Sequence, residues 1–259
     1  MKYIINPNKS ISLNGETILT TNQIKEAIIL CNQRLKQLSE SIATYDINIF
    51  EALGMRNLSG FVGEVFVKSL ENVAPSTLTK NPHQDGYPDL LLTNSTDKKS
   101  YFNSIVNITE NRIYPKNKDL FSPFKYGGLE VKATCGSTPP ASRIPKPLIG
   151  ETRINILTKF EWKAHHRDTN HLIGLLWDFI DGLPVIVSCF YCDELTTEDW
   201  GKIVTPKEGG GRTTSVSIMT SKGVSKMCNN WLVIIDNDIY LETLSKQKWI
   251  GYNPKLTTI

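Results

Sequence analysis

The segment GGLEVKATCG at residues 127–136 places a carboxylate and an ammonium two residues apart in a stretch with the apolar alternation of a β-strand. Side chains in a strand alternate between its two faces, so Glu130 and Lys132 share one face while Leu129 and Val131 occupy the other. An acid and a base held side by side on one face could bind a metal ion and activate a water molecule.

Two other acid-x-lysine triplets show that this pattern alone is not specific. One begins at Asp97 in a polar turn, and another begins at Glu161 in a predicted helix, where residues two apart do not share a face. Only Glu130 and Lys132 lie on a predicted strand. The alternative interpretation of this pair is an ion pair on a solvated face of a sheet.

A second acid stands at the start of another apolar segment. In Tyr87-Pro88-Asp89, which three leucines follow, the proline suits a strand start because it removes no interior hydrogen bond. If this strand pairs with the strand of Glu130, the two carboxylates face one point. Two carboxylates in a site that keeps some water are suitable ligands for Mg²⁺. Asp85, a few residues upstream, is the alternative first acid.

A third acid lies on a predicted helix at residues 59–72. Two phenylalanines and two valines form the apolar face of this helix, and Glu64 falls at the margin of that face. A carboxylate in this place either faces a cleft or is an ordinary boundary residue.

Pro88-Asp89 followed by Glu130-Val131-Lys132 resembles the PD-(D/E)XK nuclease superfamily. The resemblance implies a mixed β-sheet flanked by helices, which is an α/β (α+β) fold with a restriction-endonuclease-like core. It also implies that Asp89, Glu130 and the backbone carbonyl of Val131 bind Mg²⁺. Lys132 would then hold or polarise the water that attacks phosphorus.

Glu64 is similar to the auxiliary acid that many members of this superfamily carry on their first core helix, so it joins the expected catalytic residues. The matching motif covers residues 59–134. One departure is the separation of 41 positions between Asp89 and Glu130. The usual hairpin between these acids is shorter, so we expect an additional strand and loop at residues 100–126.

Within the superfamily, the length and single-domain composition are similar to type II restriction endonucleases, which usually act as homodimers on palindromic DNA. The resemblance implies a bacterial enzyme that hydrolyses double-stranded DNA at a specific sequence with Mg²⁺. We expect one nuclease domain over residues 1–259 with a catalytic core at 59–192. Two alternatives stay open: a repair or recombination nuclease that nicks mismatches or resolves junctions, and a DNA-binding protein without catalytic activity.

The composition indicates a globular protein. Of its 259 residues, 40% are hydrophobic and 21% charged, and no apolar run is long enough to predict a membrane span. The first residues turn polar too early for a secretory signal, so we expect a cytoplasmic location.

The five cysteines, an odd number, do not indicate a disulfide framework. The chain contains no P-loop motif, and we expect no nucleotide cofactor.

Positive charge is concentrated in two segments. Residues 143–167 contain six basic and two acidic residues, and residues 205–232 contain four basic residues and one acidic residue. Segregated charge of this kind suits a surface that binds phosphate groups, and the alternative is an ordinary solvated surface.

The segment at residues 205–232 is the predicted DNA-recognition segment. Its three consecutive glycines allow the backbone to approach a partner closely, and arginine can form two hydrogen bonds with guanine. The expected DNA contacts there are Arg212, Thr213, Thr214, Ser215, Ser217 and Lys222, and Arg143 and Lys146 add contacts from the proline-rich loop at residues 137–147. The alternative interpretation of the glycine-rich segment is a loop that leads into an edge strand.

Hydrophobic spacing and turn residues predict the order of helices and strands along the chain. The predicted helices are residues 22–42, 59–72, 151–166, 194–203 and 221–230, and the predicted strands are residues 88–93, 100–108, 128–134, 172–180, 183–191 and 231–236. This order indicates one domain built around a mixed sheet.

We predict that Arg212→Ala weakens sequence-specific DNA binding, because it removes the side chain that is best suited to bind guanine. Electrophoretic mobility shift assays with cognate and unrelated duplexes would measure the change. Unchanged affinity and an unchanged cleavage pattern would contradict the prediction.

Overall fold

The computed structural model describes residues 1–110, 112–206 and 215–250, which form a mixed α/β fold. The strands are β1 (Tyr3–Ile5), β2 (Ser10–Leu13), β3 (Glu16–Thr20), β4 (Leu78–Lys80), β5 (Leu90–Leu92), β6 (Val106–Thr109), β7 (Arg112–Pro115), β8 (Gly128–Thr134), β9 (Lys163–Ala164), β10 (Leu172–Ile180), β11 (Leu183–Cys192), β12 (Ser217–Ile218) and β13 (Trp231–Ile235). The helices are α1 (Thr21–Ala43), α2 (Ile49–Val73), α3 (Thr96–Ile105), α4 (Ser221–Asn229) and α5 (Asp238–Lys246).

Seven strands form one mixed sheet in the order β1-β13-β11-β10-β8-β5-β4. Strand β8 lies between β10, with which it pairs in parallel, and β5, with which it pairs antiparallel. Strands β10 and β11 form the predicted hairpin, and Asp181 and Gly182 at its turn both have positive φ. The predicted mixed sheet with flanking helices is therefore confirmed.

Apolar side chains cover both faces of this sheet. The first core joins α1 and α2 to one face, where it includes Leu129 and Val131 of β8. The second core joins α4 and α5 to the opposite face. Cys189 belongs to the first core and Cys192 to the second, as strand alternation predicts for thiols three residues apart.

Helix α2 is longer than predicted and is interrupted near its start. It begins at Ile49 rather than at residue 59, and Gly54 inside it has φ 65° and ψ 159°. Glycine adopts this positive φ without a steric penalty, so residues 55–73 form a second helical segment. This segment packs on β8, because a Cβ built on Gly63 would lie 4.0 Å from the Cβ of Ala133.

The prediction of a strand at residues 100–108 is wrong over most of its length, since α3 extends through it and only β6 is extended. Ser95 caps α3 by accepting a hydrogen bond from the backbone N–H of Lys98. Phe102 and Ile105 then pack in a third hydrophobic cluster. Aromatic and β-branched residues favour a strand here, but the cap and the one-sided apolar contacts stabilise a helix.

The prediction of a helix at residues 151–166 is also wrong. The buried carboxylate of Asp178 accepts hydrogen bonds from the backbone N–H groups of Arg153 (2.9 Å) and Ile154 (3.0 Å). Only a short 3₁₀ turn follows, and the chain then extends toward β9. Glu161 therefore does not lie on a helix, and its side chain pairs with a neighbouring lysine.

The predicted helix at residues 194–203 is only a 3₁₀ turn at Thr197–Asp199. Asp199 is fully buried and accepts hydrogen bonds from the backbone N–H of Thr196 and from the ammonium of Lys226 on α4. These polar contacts end the turn after three residues. No helix within the described ranges is long and apolar enough to cross a membrane.

We predict that Asp178→Ala lowers the free energy of unfolding by at least about 2 kcal/mol, because each buried donor left without an acceptor costs about 1–3 kcal/mol. The donors are three backbone N–H groups and the hydroxyl of Tyr240. Asp178→Asn keeps one acceptor oxygen and should lose less.

Urea unfolding followed by circular dichroism would measure both changes. Asp168→Ala is the matched control, because Asp168 is exposed. Equal midpoints for Asp178→Ala and the control would show that the buried carboxylate is not needed for stability.

Candidate active site

The antiparallel pairing of β5 with β8 brings the two predicted acids together. Leu90 pairs with Leu129, so Asp89 and Glu130 occupy the next position at the end of the ladder. The backbone N–H of Asp89 donates to Glu130 Oε2 at 3.2 Å, and the N–H of Val131 donates to Asp89 Oδ2 at 2.8 Å. Each carboxylate is thus fixed by the backbone of the opposite strand.

A glycine permits this close pairing. A Cβ built on Gly128 would lie only 1.8 Å from the carbonyl oxygen of Leu90, so no other residue fits this position without moving the strand. The close contact between β5 and β8 therefore explains why a glycine precedes Leu129 in the sequence.

Lys132 completes a group of three charged side chains. Its Nζ lies 2.5 Å from Glu130 Oε1 and 3.8 Å from Asp89 Oδ2. Glu130 is only 7% exposed, which does not fit the alternative of an ion pair on a solvated face. The side chains of Asp89 and Lys132 stay 22% and 24% exposed, so solvent can reach the group.

The direction of the backbone carbonyl of Val131 follows from strand geometry. The N–H of Val131 points to Asp89 at the β5 side of the strand. In a β-strand the N–H and C=O of one residue point to the same neighbouring strand. The carbonyl oxygen is therefore directed toward the edge where the two carboxylates lie.

The charges in the group perturb one another. Burial, and then the charge of Asp89, raises the pKa of Glu130 to about 7, although Lys132 opposes the shift. Burial likewise raises the pKa of Asp89. Burial alone would lower the pKa of Lys132, but the two carboxylates outweigh it and the pKa is raised, so the side chain is an ammonium.

Glu64 lies near the group but makes a different contact. Its side chain is half exposed, and its Oε2 accepts a hydrogen bond from Lys80 Nζ at 2.5 Å. Its charge contributes to the raised pKa of Asp89, after burial as the main cause. Glu64 and Asp89 line the same cleft.

This cleft has a volume of about 800 Å³ and lies between α2, β4 and the β6–β7 hairpin. The hairpin belongs to the insertion that separates Asp89 from Glu130 in the chain. The sequence predicts a strand and a loop there, whereas the insertion contains α3 and the hairpin. Ile108 and Ile113 of the hairpin are exposed and line the cleft.

The oxygen atoms of the group fit Mg²⁺. No three His, Cys, Asp or Glu side chains within the described ranges form a cluster that could hold a metal ion. Two carboxylates and a backbone carbonyl nevertheless supply three oxygen donors, and Mg²⁺ commonly keeps several water ligands beside one or two carboxylates. Lys132 contacts both carboxylates, and it would need to withdraw from them when a cation binds.

The geometry favours Asp89 over Asp85 as the first acid. Asp89 contacts the backbone of β8 through its carboxylate, whereas Asp85 lies exposed in a turn before β5.

The predicted DNA contacts in the second basic segment are only partly described. Arg212, Thr213 and Thr214 lie outside the described residues. Ser215 is half-buried, and its carbonyl lies 3.1 Å from a histidine ring nitrogen. Ser217 is fully buried and donates its hydroxyl to a backbone carbonyl, so this hydroxyl is not available to contact DNA.

The remaining predicted contacts are accessible. Lys222 is exposed on α4 and pairs with Glu198 at 3.0 Å. Arg143 and Lys146 are exposed in the loop that follows β8, as the prolines predict.

Lys80 and Tyr87 also lie close to the acids, although no sequence pattern singles them out. Lys80 holds Glu64 in the cleft, and the hydroxyl of Tyr87 accepts a hydrogen bond from the backbone N–H of Asn170 at 3.2 Å. Glu130 is one of the charges that raise the pKa of Tyr87, after burial as the main cause. The position of Tyr87 directly before Pro88-Asp89 is the only signal for it in the sequence.

Comparison with known proteins gives no relative. No protein-family model matches the chain, and neither the curated proteins nor the solved structures contain a match. A proposal about function therefore depends on the geometry of the described residues and on the resemblance of the motif.

We predict that Lys132→Met raises the pKa of Glu130 further above its value of about 7. The substitution removes the one cation that favours the ionised carboxylate, so the proton is lost only at higher pH. Carbon-13 NMR of labelled glutamate side chains would measure the titration, and Glu130→Gln would assign the signal.

Lys36→Met is the matched control, because Lys36 pairs with Glu40 on the surface of α1. An unchanged or lowered pKa of Glu130 in Lys132→Met would show that the ammonium does not act on this carboxylate.

Proposed function

We propose that the protein is a Mg²⁺-dependent endonuclease with a restriction-endonuclease-like core, which cuts double-stranded DNA at a specific sequence. The observation that carries the proposal is the convergence of Asp89, Glu130 and Lys132 at the end of the β5–β8 ladder. This set of groups suits phosphodiester hydrolysis, because it offers oxygen ligands for a divalent cation and a cationic donor beside them.

The chain's own groups have separate tasks in this reaction. Asp89, Glu130 and the carbonyl of Val131 would hold Mg²⁺, which supplies Lewis-acid stabilisation of the charge that develops on the phosphate. Lys132, as an ammonium, donates hydrogen bonds that orient the attacking water and offset charge on a phosphate oxygen. Glu64 lines the same cleft as Asp89, and release from Lys80 would free its carboxylate to join the site.

The burial of paired acids supports a catalytic protein over a DNA-binding protein without activity. Two adjacent carboxylates repel each other, and both have raised pKa values through burial and, for Glu130, through the charge of Asp89. Such groups also repel DNA phosphates, so they disfavour DNA binding unless a cation joins them. Perturbed pKa values of this kind are typical of functional sites.

Substrate and assembly follow from the surrounding charges and from the resemblance. The exposed Arg143 and Lys146 come directly after the catalytic strand and can contact the backbone of a duplex. A homodimer with two-fold symmetry would place one site on each strand of a palindromic sequence.

We predict that the wild-type protein converts plasmid or phage DNA into discrete fragments with Mg²⁺ and leaves it intact with EDTA. Lys132→Ala should lower the cleavage rate by about 100-fold or more, since one donor to a developing charge typically contributes a factor of about 10²–10³. Agarose gel assays over time would measure the rates, and sequencing of the fragment ends would give the recognition site.

Lys36→Ala is the control. It also removes a lysine that pairs with a glutamate, but this pair lies on α1 rather than on β8. Fragments without discrete ends, or cleavage only at mismatches or junctions, would favour a repair or recombination nuclease. Equal rates for Lys132→Ala and the control, or no cleavage by the wild type, would contradict the proposal.

A further inference from the structure

A second cavity lies beyond the C-terminal end of β8 and carries positive charge. It has a volume of about 570 Å³, and its lining includes Lys146, Arg153 and residues 136–140. None of the described residues that line it is an aspartate or a glutamate. The cleft beside Asp89, by contrast, contains four acidic side chains together with three basic ones. The second cavity is therefore the one whose described charged side chains are all basic.

Arg153 is a buried cation without a counterion within the described ranges. Its residue is only 8% exposed, and its Nε is buried with no hydrogen-bond partner. No ion pair of the described residues includes it. The backbone N–H of Arg153 is bound to the carboxylate of Asp178, which fixes the main chain at this point. A buried charge without a partner is costly, so a bound anion would stabilise this guanidinium.

A helix start lies at the same cavity. Met55 lines the cavity, and it is the first residue of the segment 55–73 that begins after the break at Gly54. The first N–H groups of a helix have no partner within the helix, and the positive end of its dipole lies there. A helix start is therefore a favourable place for a phosphate group.

Strand β8 and helix α2 both run from the group formed by Asp89, Glu130 and Lys132 to this cavity, so they set the distance between the two. Gly136 follows Lys132 by four residues, which spans about 13 Å in an extended chain. Glu64 follows Met55 by nine residues, which spans about 14 Å along a helix. The contact between Gly63 and Ala133 keeps the helix and the strand side by side.

We propose that this cavity binds a phosphate group, held by the guanidinium of Arg153, the ammonium of Lys146 and the helix start at Met55. Resting on the proposed function, the group is a backbone phosphate of the DNA strand. Because the cavity and the charged group are joined by ~13–14 Å of strand and of helix, the bound phosphate lies within a few nucleotides of the bond that is cut. The planar guanidinium fits two phosphate oxygens at once.

The site itself is tested with inorganic phosphate. Isothermal titration calorimetry should detect binding to the wild type, and Lys146→Met and Arg153→Met should each weaken it by about tenfold or more. Lys146 is exposed, so its variant should fold normally, and circular dichroism checks the fold of Arg153→Met. Lys246→Met is the control, because Lys246 is an exposed lysine on α5. No binding, or equal affinity in all four proteins, would overturn the site.

The source of the phosphate is tested with DNA in Ca²⁺, where binding is measured by fluorescence anisotropy and cleavage is not needed. The slope of the logarithm of affinity against that of salt concentration should fall by about 0.9 in Lys146→Met, which is the loss of one phosphate contact. An unchanged slope together with lost inorganic phosphate binding would mean that the site takes a free phosphate, and would overturn the DNA assignment. Neither binding measurement depends on cleavage. Failure of the nuclease assay and failure of the phosphate site can therefore be told apart.

Discussion

The candidate site depends on the antiparallel pairing of β5 with β8. The backbone ladder ends at Leu90 and Leu129, and the carboxylates of Asp89 and Glu130 continue it as acceptors for N–H groups of the opposite strand. The same contacts that hold the strands together therefore fix both acids. A shift of one residue in this register would turn the acids into the apolar core.

Charge is balanced locally in this part of the molecule. Lys132 offsets two carboxylates, and Lys80 offsets Glu64 across the cleft. Because Asp89 and Glu130 both have raised pKa values, their proximity is not favourable in itself and is imposed by the packing of the strands. The segment 55–73 of α2 reaches from these acids to the cavity of Arg153, so one helical segment spans both.

Local patterns predicted the elements that carry the acids, and long-range contacts decided the rest. Period-two alternation identified β8, and hydrophobic spacing identified α1. The pattern at residues 151–166 wrongly predicted a helix, because the backbone N–H groups there bind Asp178, which follows in a later strand. Asp89 and Glu130 lie together because β5 pairs with β8, and the sequence offered this pairing only as a condition. The burial of Arg153 could not be judged from its place in a basic segment.

The chain that joins Asp89 to Glu130 leaves the sheet and returns to it at one place, since the N–H of Leu92 donates to the carbonyl of Gly127 at 3.0 Å. Between these points, α3 and the β6–β7 hairpin form their own side of the molecule around a separate apolar cluster. The number of residues between the acids can therefore grow or shrink in evolution while the distance between them in space stays constant. Spacing along the chain is thus a poor guide to ancestry for a motif of this kind.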